Sequence, residues 1–140
     1  MTVYSERVLD HFRNPRNVGE IEDPDGIAQI GDPECGDFLR ITLRVEEERI
    51  TDIKFLCQGC PAAIACASVT TELARGRHID EAWNVTDDAV LEALGALPEQ
   101  KVHCSLLAPT ALHAAIMNYV VRSVETDRGD HSLVEPKEAT

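Results

Sequence analysis

Aromatic side chains are scarce in this chain, at 4% of its residues, so aliphatic groups must fill most of any core. No apolar run approaches the ~20 residues that a membrane-spanning helix needs. The first residues, Met1-Thr2-Val3-Tyr4-Ser5-Glu6-Arg7, lack the apolar stretch of a secretory signal. These absences lead to the expectation of a cytoplasmic protein without a membrane segment. Basic residues are few as well: 13 Lys and Arg stand against 25 Asp and Glu, a formal net charge of -12. That balance argues against nucleic acid as a partner, because phosphate binding requires a basic face, and against anionic membrane surfaces. It suits solubility and docking onto basic protein surfaces.

No internal repeat interrupts the 140 residues, which suggests one domain, and at 44% apolar the chain can bury a core without staples. Tyr4, Val8 and Phe12 form one stripe of a first helix, ended by Asn14-Pro15 and Gly19. Residues 26–30 suggest a strand. The segment from Gly31 to Asp37, with two glycines, a proline and two aspartates, reads as a loop. Leu39, Ile41, Leu43 and Val45 then alternate with Arg40, Thr42 and Arg44, the pattern of a half-buried strand. A charged turn, Glu46 to Arg49, leads to a second run with Ile53 and Phe55 on one side, implying an antiparallel hairpin.

The period changes after Cys60. Pro61 suits the first position of a helix whose apolar stripe is Ala62, Cys66, Val69 and Leu73, with Gly76 near its end. A short turn of helix is expected between His78 and Trp83, and another helix capped by Thr86 or Asp87 and closed by Gly95. A last helix carries Leu112, Ala115, Ile116 and Tyr119, with Pro109 near its start. The polar stretch 125–140 has no periodicity and reads as a disordered tail behind a domain of residues 1–124. Helix, strands, then helices indicate α+β: a small antiparallel sheet of about three strands with helices packed on one face.

Five cysteines, an odd number in a chain without an export signal, point to metal binding or catalysis rather than disulfides. Three of them lie in separate turn-like settings: Cys35 in Glu34-Cys35-Gly36-Asp37, Cys60 in Gly59-Cys60-Pro61, and Cys104 in His103-Cys104-Ser105. Cys60 and Cys104 fall where helices begin, and the free N–H groups of a helix start favour an anion such as a thiolate. Three thiolates brought together repel unless a cation neutralises them. Three Cys with Asp37 or His103 fit either tetrahedral zinc or a [2Fe–2S] cluster. A carboxylate or imidazole in the fourth place holds iron less firmly than sulfur does, which suits a cluster that must be handed on. Cys66 reads as a buried apolar residue on the helix stripe. Cys57 is ambiguous, half of a metal knuckle or of a redox pair with Cys60, and is left outside the ligand set. His11, His78, His113 and His131 have no cysteine neighbour and read as surface residues.

From about Tyr4 to Tyr119 the chain resembles the IscU/NifU-type iron–sulfur cluster scaffold family. Tyr4-Ser5-Glu6-Arg7-Val8 with Asp10-His11-Phe12-Arg13-Asn14-Pro15-Arg16-Asn17-Val18-Gly19 resembles its N-terminal signature. Cys35-Gly36-Asp37, Gly59-Cys60 with Ala63-Ile64-Ala65, and His103-Cys104-Ser105 with Leu107-Ala108 resemble its three ligand motifs in order. The resemblance implies a SufE/NifU-like α+β scaffold, not an enzyme. Its ligand candidates are Cys35, Asp37, Cys60, His103 and Cys104. A cysteine desulfurase would deliver sulfur as a persulfide, with Cys104 the leading acceptor, and iron and electrons would come from other donors. The [2Fe–2S] cluster would then pass to apo-proteins, with a homodimer expected when the cluster is bound. It further implies that Asp37 promotes cluster release.

The chain departs from the family pattern at Cys57, where a cysteine is uncommon, and at Cys66, where serine is common. Leu97-Pro98-Glu99-Gln100-Lys101 resembles the family's chaperone-recognition segment but lacks its second proline, which counts against a specialised chaperone pair. The 44 residues from Cys60 to Cys104 leave no room for the insertion of the zinc-dependent SufU branch. Two further readings compete with the scaffold: a zinc-bound sulfur-transfer or interaction module, and a thiol redox enzyme using Cys57 and Cys60.

Overall fold

A computed structural model describes residues 5–31, 38–95 and 104–128, with the backbone alone at 104–106 and 125–128. Helix α1 (Glu6–Arg13) starts at Ser5, whose hydroxyl accepts from the Val8 N–H at 3.1 Å. Three antiparallel strands follow in sequential order, β1 (Gly26–Gly31), β2 (Phe38–Glu46) and β3 (Arg49–Gln58). The remaining helices are α2 (Pro61–Ala74), α3 (Ile79–Trp83), α4 (Asp87–Leu94) and α5 (Cys104–Arg128). The expected α+β architecture is present, and the three-stranded sheet carries α2 and α5 on its apolar face.

Alternation along β2 places Leu39, Ile41, Leu43 and Val45 in the core. The opposite side of the strand is not simply left to solvent. Thr42 is 1% exposed, and its hydroxyl accepts the Ile21 N–H at 3.1 Å. The Arg44 guanidinium donates to the carbonyls of Glu22 and Asp23. The connection between α1 and β1 thus covers part of the second face. It also reaches the outer edge of β3, where Phe55 donates to the Asn17 carbonyl and accepts from the Gly19 N–H, both at 2.9 Å. At the other edge the Ile27 N–H of β1 donates to Asn118 Oδ1 of α5 at 3.1 Å. Strand and helix come so close there that a Cβ on Gly26 would lie 2.5 Å from the Ala115 carbonyl oxygen, so the position demands glycine.

Helix α2 is the centre of the molecule. Ala62, Ala65, Cys66, Ala67 and Val69 are buried, and so are Ser68, Thr70 and Thr71. The apolar stripe read from Ala62, Cys66 and Val69 is therefore only part of its contact surface: the helix is enclosed on most sides by α1, α4, α5 and β3. Helix α4 starts at Thr86, whose hydroxyl accepts the Ala89 N–H, and ends at Gly95 with φ 93°. Its last carbonyls are met by α1: the Ser5 hydroxyl donates to the Leu94 carbonyl at 2.6 Å and Arg7 to that of Ala93 at 3.3 Å. Helix α5 begins at Cys104 and contains Pro109 in its second turn.

The first helix turns a different face inward from the one its apolar stripe suggests. Val8 and His11 are buried, whereas Phe12 is 38% exposed. His11, expected at the surface, is 8% exposed. The reason lies on α2, where Ser68 Oγ sits 2.7 Å from His11 Nδ1 and accepts the Arg16 N–H at 2.9 Å. Asn17 reaches Thr71 Oγ1 at 3.0 Å in the same seam. With Ser68 Oγ accepting from Arg16, its hydrogen is available to Nδ1, and Nε2–H faces Glu72 at 3.6 Å. This seam fixes the N-terminal segment on α2 through polar contacts that an apolar pattern does not register.

Burial, aided by the positive charge of Arg16, holds His11 below the ordinary histidine pKa, while Glu72 and Asp10 pull the other way. The unfolded chain therefore takes up a proton at this residue before the folded one does. The stabilisation from neutral His11 is complete above the unfolded pKa and is lost as pH falls through the lowered folded value. Denaturation midpoints should drop as the pH is lowered below the ordinary histidine pKa of about 6.5, and His11→Gln should flatten part of that drop. Parent and variant curves of equal slope would show that His11 does not carry it.

Candidate functional site

Strands β1, β2 and β3 and helices α2 and α5 all present one end to the same region. Gly31 closes β1, Phe38 opens β2, and the two are cross-strand partners. Gln58 closes β3 opposite Phe38. Two residues later Cys60 N-caps α2 in an extended conformation, with φ -76° and ψ 168°. Pro61 occupies the first helical position, where the missing N–H costs nothing. The Cys60 carbonyl accepts the Ile64 N–H at 3.1 Å, which ties the cap residue into the helix.

These ends surround a cleft of about 240 Å³. Its walls are mostly apolar: Phe38 and Leu39 come from β2, Ala63 from α2, and Leu107 and Ala108 from α5. Two thiol-bearing residues interrupt them, Cys57 and Cys60, and both are half-buried. An apolar wall with sulfur at its edge excludes water while leaving soft donors accessible, which favours a thiophilic metal centre over a hard, hydrated cation.

The sequence-derived residues are distributed as follows. Cys60 is in the cleft wall. Cys35 and Asp37 lie outside the described residues, but the two residues that bracket their segment, Gly31 and Phe38, line the cleft. His103 also lies outside the described residues. Cys104 supplies the first backbone residue of α5, one turn before Leu107 and Ala108 of the cleft wall. Leu97 to Lys101 falls outside the described residues. Among the described residues no three His, Cys, Asp or Glu side chains form a metal-sized cluster. Cys66 is fully buried in the core, as expected. His78 caps α3 by accepting the Asp80 N–H, a partly exposed structural role. His113, expected at the surface, is half-buried and stacks on Trp83 with ring centroids 4.6 Å apart.

The residue that the ligand set omits is Cys57. Its signal was present: Ile53, Phe55 and Cys57 share one side of β3 at period two, so Cys57 continues the core row toward the cleft. The apolar lining contributed by Leu107 and Ala108 was legible only as flanking sequence, because its place depends on how α5 crosses the sheet.

Residues 3–126 match the family model described as NifU-like N terminal domain. The chain is 53% identical over 126 residues to the iron-sulfur cluster assembly scaffold protein IscU 1 of Archaeoglobus fulgidus, covering 90% of this chain and 82% of that protein. It is 45% identical to the IscU scaffold protein of Azotobacter vinelandii, covering 83% of this chain and 93% of that one. Among solved structures, the N-terminal NifU-like protein of Brucella abortus superposes with a TM-score of 0.70 at 18% identity, covering 84% of this chain and 94% of that one, a likeness of fold. Family model, relatives and fold agree, and the chain belongs to the NifU-like N-terminal domain family.

Proposed function

We propose that this protein is an iron–sulfur cluster assembly scaffold, which builds a [2Fe–2S] cluster in the cleft and hands it to apo-proteins. The observation that carries this reading is one cleft lined by Cys60, by the residues of α5 one turn beyond Cys104, and by the two residues that bracket the segment of Cys35. Cys60 lines it, Gly31 and Phe38 bracket the segment of Cys35 at its rim, and the opening turns of α5 complete its wall. The relatives named as scaffold proteins support it.

The iron and sulfide are cargo, so the protein must bind them firmly enough to assemble and loosely enough to release. Cys35, Cys60 and Cys104 supply thiolates, and Asp37 or His103 the weaker fourth donor. Sulfur enters from a cysteine desulfurase. The Cys104 thiolate attacks the outer sulfur of the donor persulfide, the donor's S–S bond breaks, and the donor cysteine leaves as thiolate. The transferred sulfur remains at the persulfide level, so its reduction to sulfide requires two electrons from a separate donor, which accompanies iron delivery. The acidic surface, with its formal charge of -12, suits docking to basic faces on such partners. No helix among the described residues is long and apolar enough to cross a membrane.

Anaerobic reconstitution with ferrous iron, cysteine and a desulfurase tests the reading. A sulfur-to-iron charge-transfer spectrum should develop with about two irons per cluster; tightly held zinc that iron and sulfide cannot displace would overturn it in favour of a zinc module. Asp37→Ala should slow cluster loss to a chelator several-fold, and loss at the parent rate or faster would remove Asp37 from the release step. In Cys104→Ser, mass spectrometry after desulfurase treatment should show persulfide loading largely abolished; full loading would transfer the acceptor role to another thiol.

A further inference from the structure

Cys57 is a thiol in the cleft that the ligand set above does not use. It is the last residue but one of β3, at the strand end that faces the site, in the same row as the buried Ile53 and Phe55. Unlike them it is only half-buried, because the row leaves the core there and enters the cleft wall. Its cross-strand partner is Leu39, which stands two residues after Asp37 in the chain. Cys60 follows three residues later in the same wall. An alanine or valine would have completed the apolar row; the cysteine instead sets a soft donor beside Cys60, on the strand paired with the one that continues from Asp37.

We propose that Cys57 is an additional sulfur ligand of the cargo, sharing the fourth coordination place with Asp37. The inference rests on the scaffold reading and deepens it. Binding of Cys57 replaces a metal–carboxylate bond with a metal–thiolate bond, and the thiol proton goes to solvent, with no change of oxidation state. The all-sulfur set is the retaining arrangement, and the set with Asp37 is the releasing one, because iron prefers the softer donor. Exchange between the two makes retention adjustable within one cleft. It also accounts for the effect expected of Asp37→Ala, since loss of the carboxylate leaves the place to sulfur.

Cobalt(II) provides a probe that does not depend on cluster building, because its thiolate-to-metal absorption scales with the number of bound thiolates. Under anaerobic titration, Cys57→Ser should lose up to about a quarter of the parent band, one thiolate among four. Cys57→Ala, which keeps the wall apolar, should show the same loss, with folding checked by circular dichroism. Cys60→Ser should also lose intensity, and Cys66→Ala should not. On the reconstituted protein, Cys57→Ser in the Asp37→Ala background should restore fast cluster loss. A parent-strength cobalt band in both Cys57 variants alongside a weakened band in Cys60→Ser overturns the role of Cys57 and leaves the scaffold standing. A band indifferent to Cys60 as well as Cys57 overturns both.

Discussion

Everything in this molecule depends on the burial of α2. A helix enclosed on most sides can be packed closely only if its side chains are small, and α2 meets that condition with Ala62, Ala65, Cys66, Ala67 and Ser68. Small residues bring α1, α5 and β3 near its axis, and that proximity fixes where its first residue stands. Cys60 is therefore positioned by the whole core, through a helix that cannot shift without opening several interfaces at once. Two of the polar residues of this interior meet partners, whereas the buried Thr70 hydroxyl has none among the described residues. Ser68 and Thr71 engage His11, Arg16 and Asn17, and so convert a potential penalty into the attachment of the N-terminal segment.

The site follows from the same economy of placement. Strand ends and helix starts leave backbone groups outside regular pairing, and irregular turns at such places can carry residues that would disrupt an element's interior. The sheet contributes its open end, α2 its beginning and α5 its beginning. A cleft formed in this way is apolar because it is an extension of the core, and it holds thiols because strand and helix ends border it. Thiolates in such surroundings have few water molecules to compensate them, so a cation gains more there than it would on an open surface.

Much of this was legible in the amino acids. The alternation of Leu39, Ile41, Leu43 and Val45 located the central strand, Cys60-Pro61 located the start of α2, and Gly95 the end of α4. What was not legible had physical causes. The burial of His11 is decided by Ser68, a residue 57 positions away, and helical periodicity in α1 holds no record of it. The covering of Thr42 depends on a connection without periodic structure. The place of Cys57 in the cleft wall was not legible, because the row Ile53, Phe55, Cys57 points to the cleft only once the strand's end is known to form its wall. The motif residues Cys35, Asp37 and His103 were read from sequence alone and lie outside the described residues.

Pro109 has a mechanical consequence. Without an N–H, it offers nothing to the carbonyl of residue 105, so the ladder along α5 lacks one rung just beyond Cys104. The opening turn is consequently fastened to the helix by one backbone hydrogen bond fewer, while the body of α5 is seated on β1. Cys104 thus stands on the turn of α5 that Pro109 leaves one rung short, and any strain at that position is confined to about one turn of backbone.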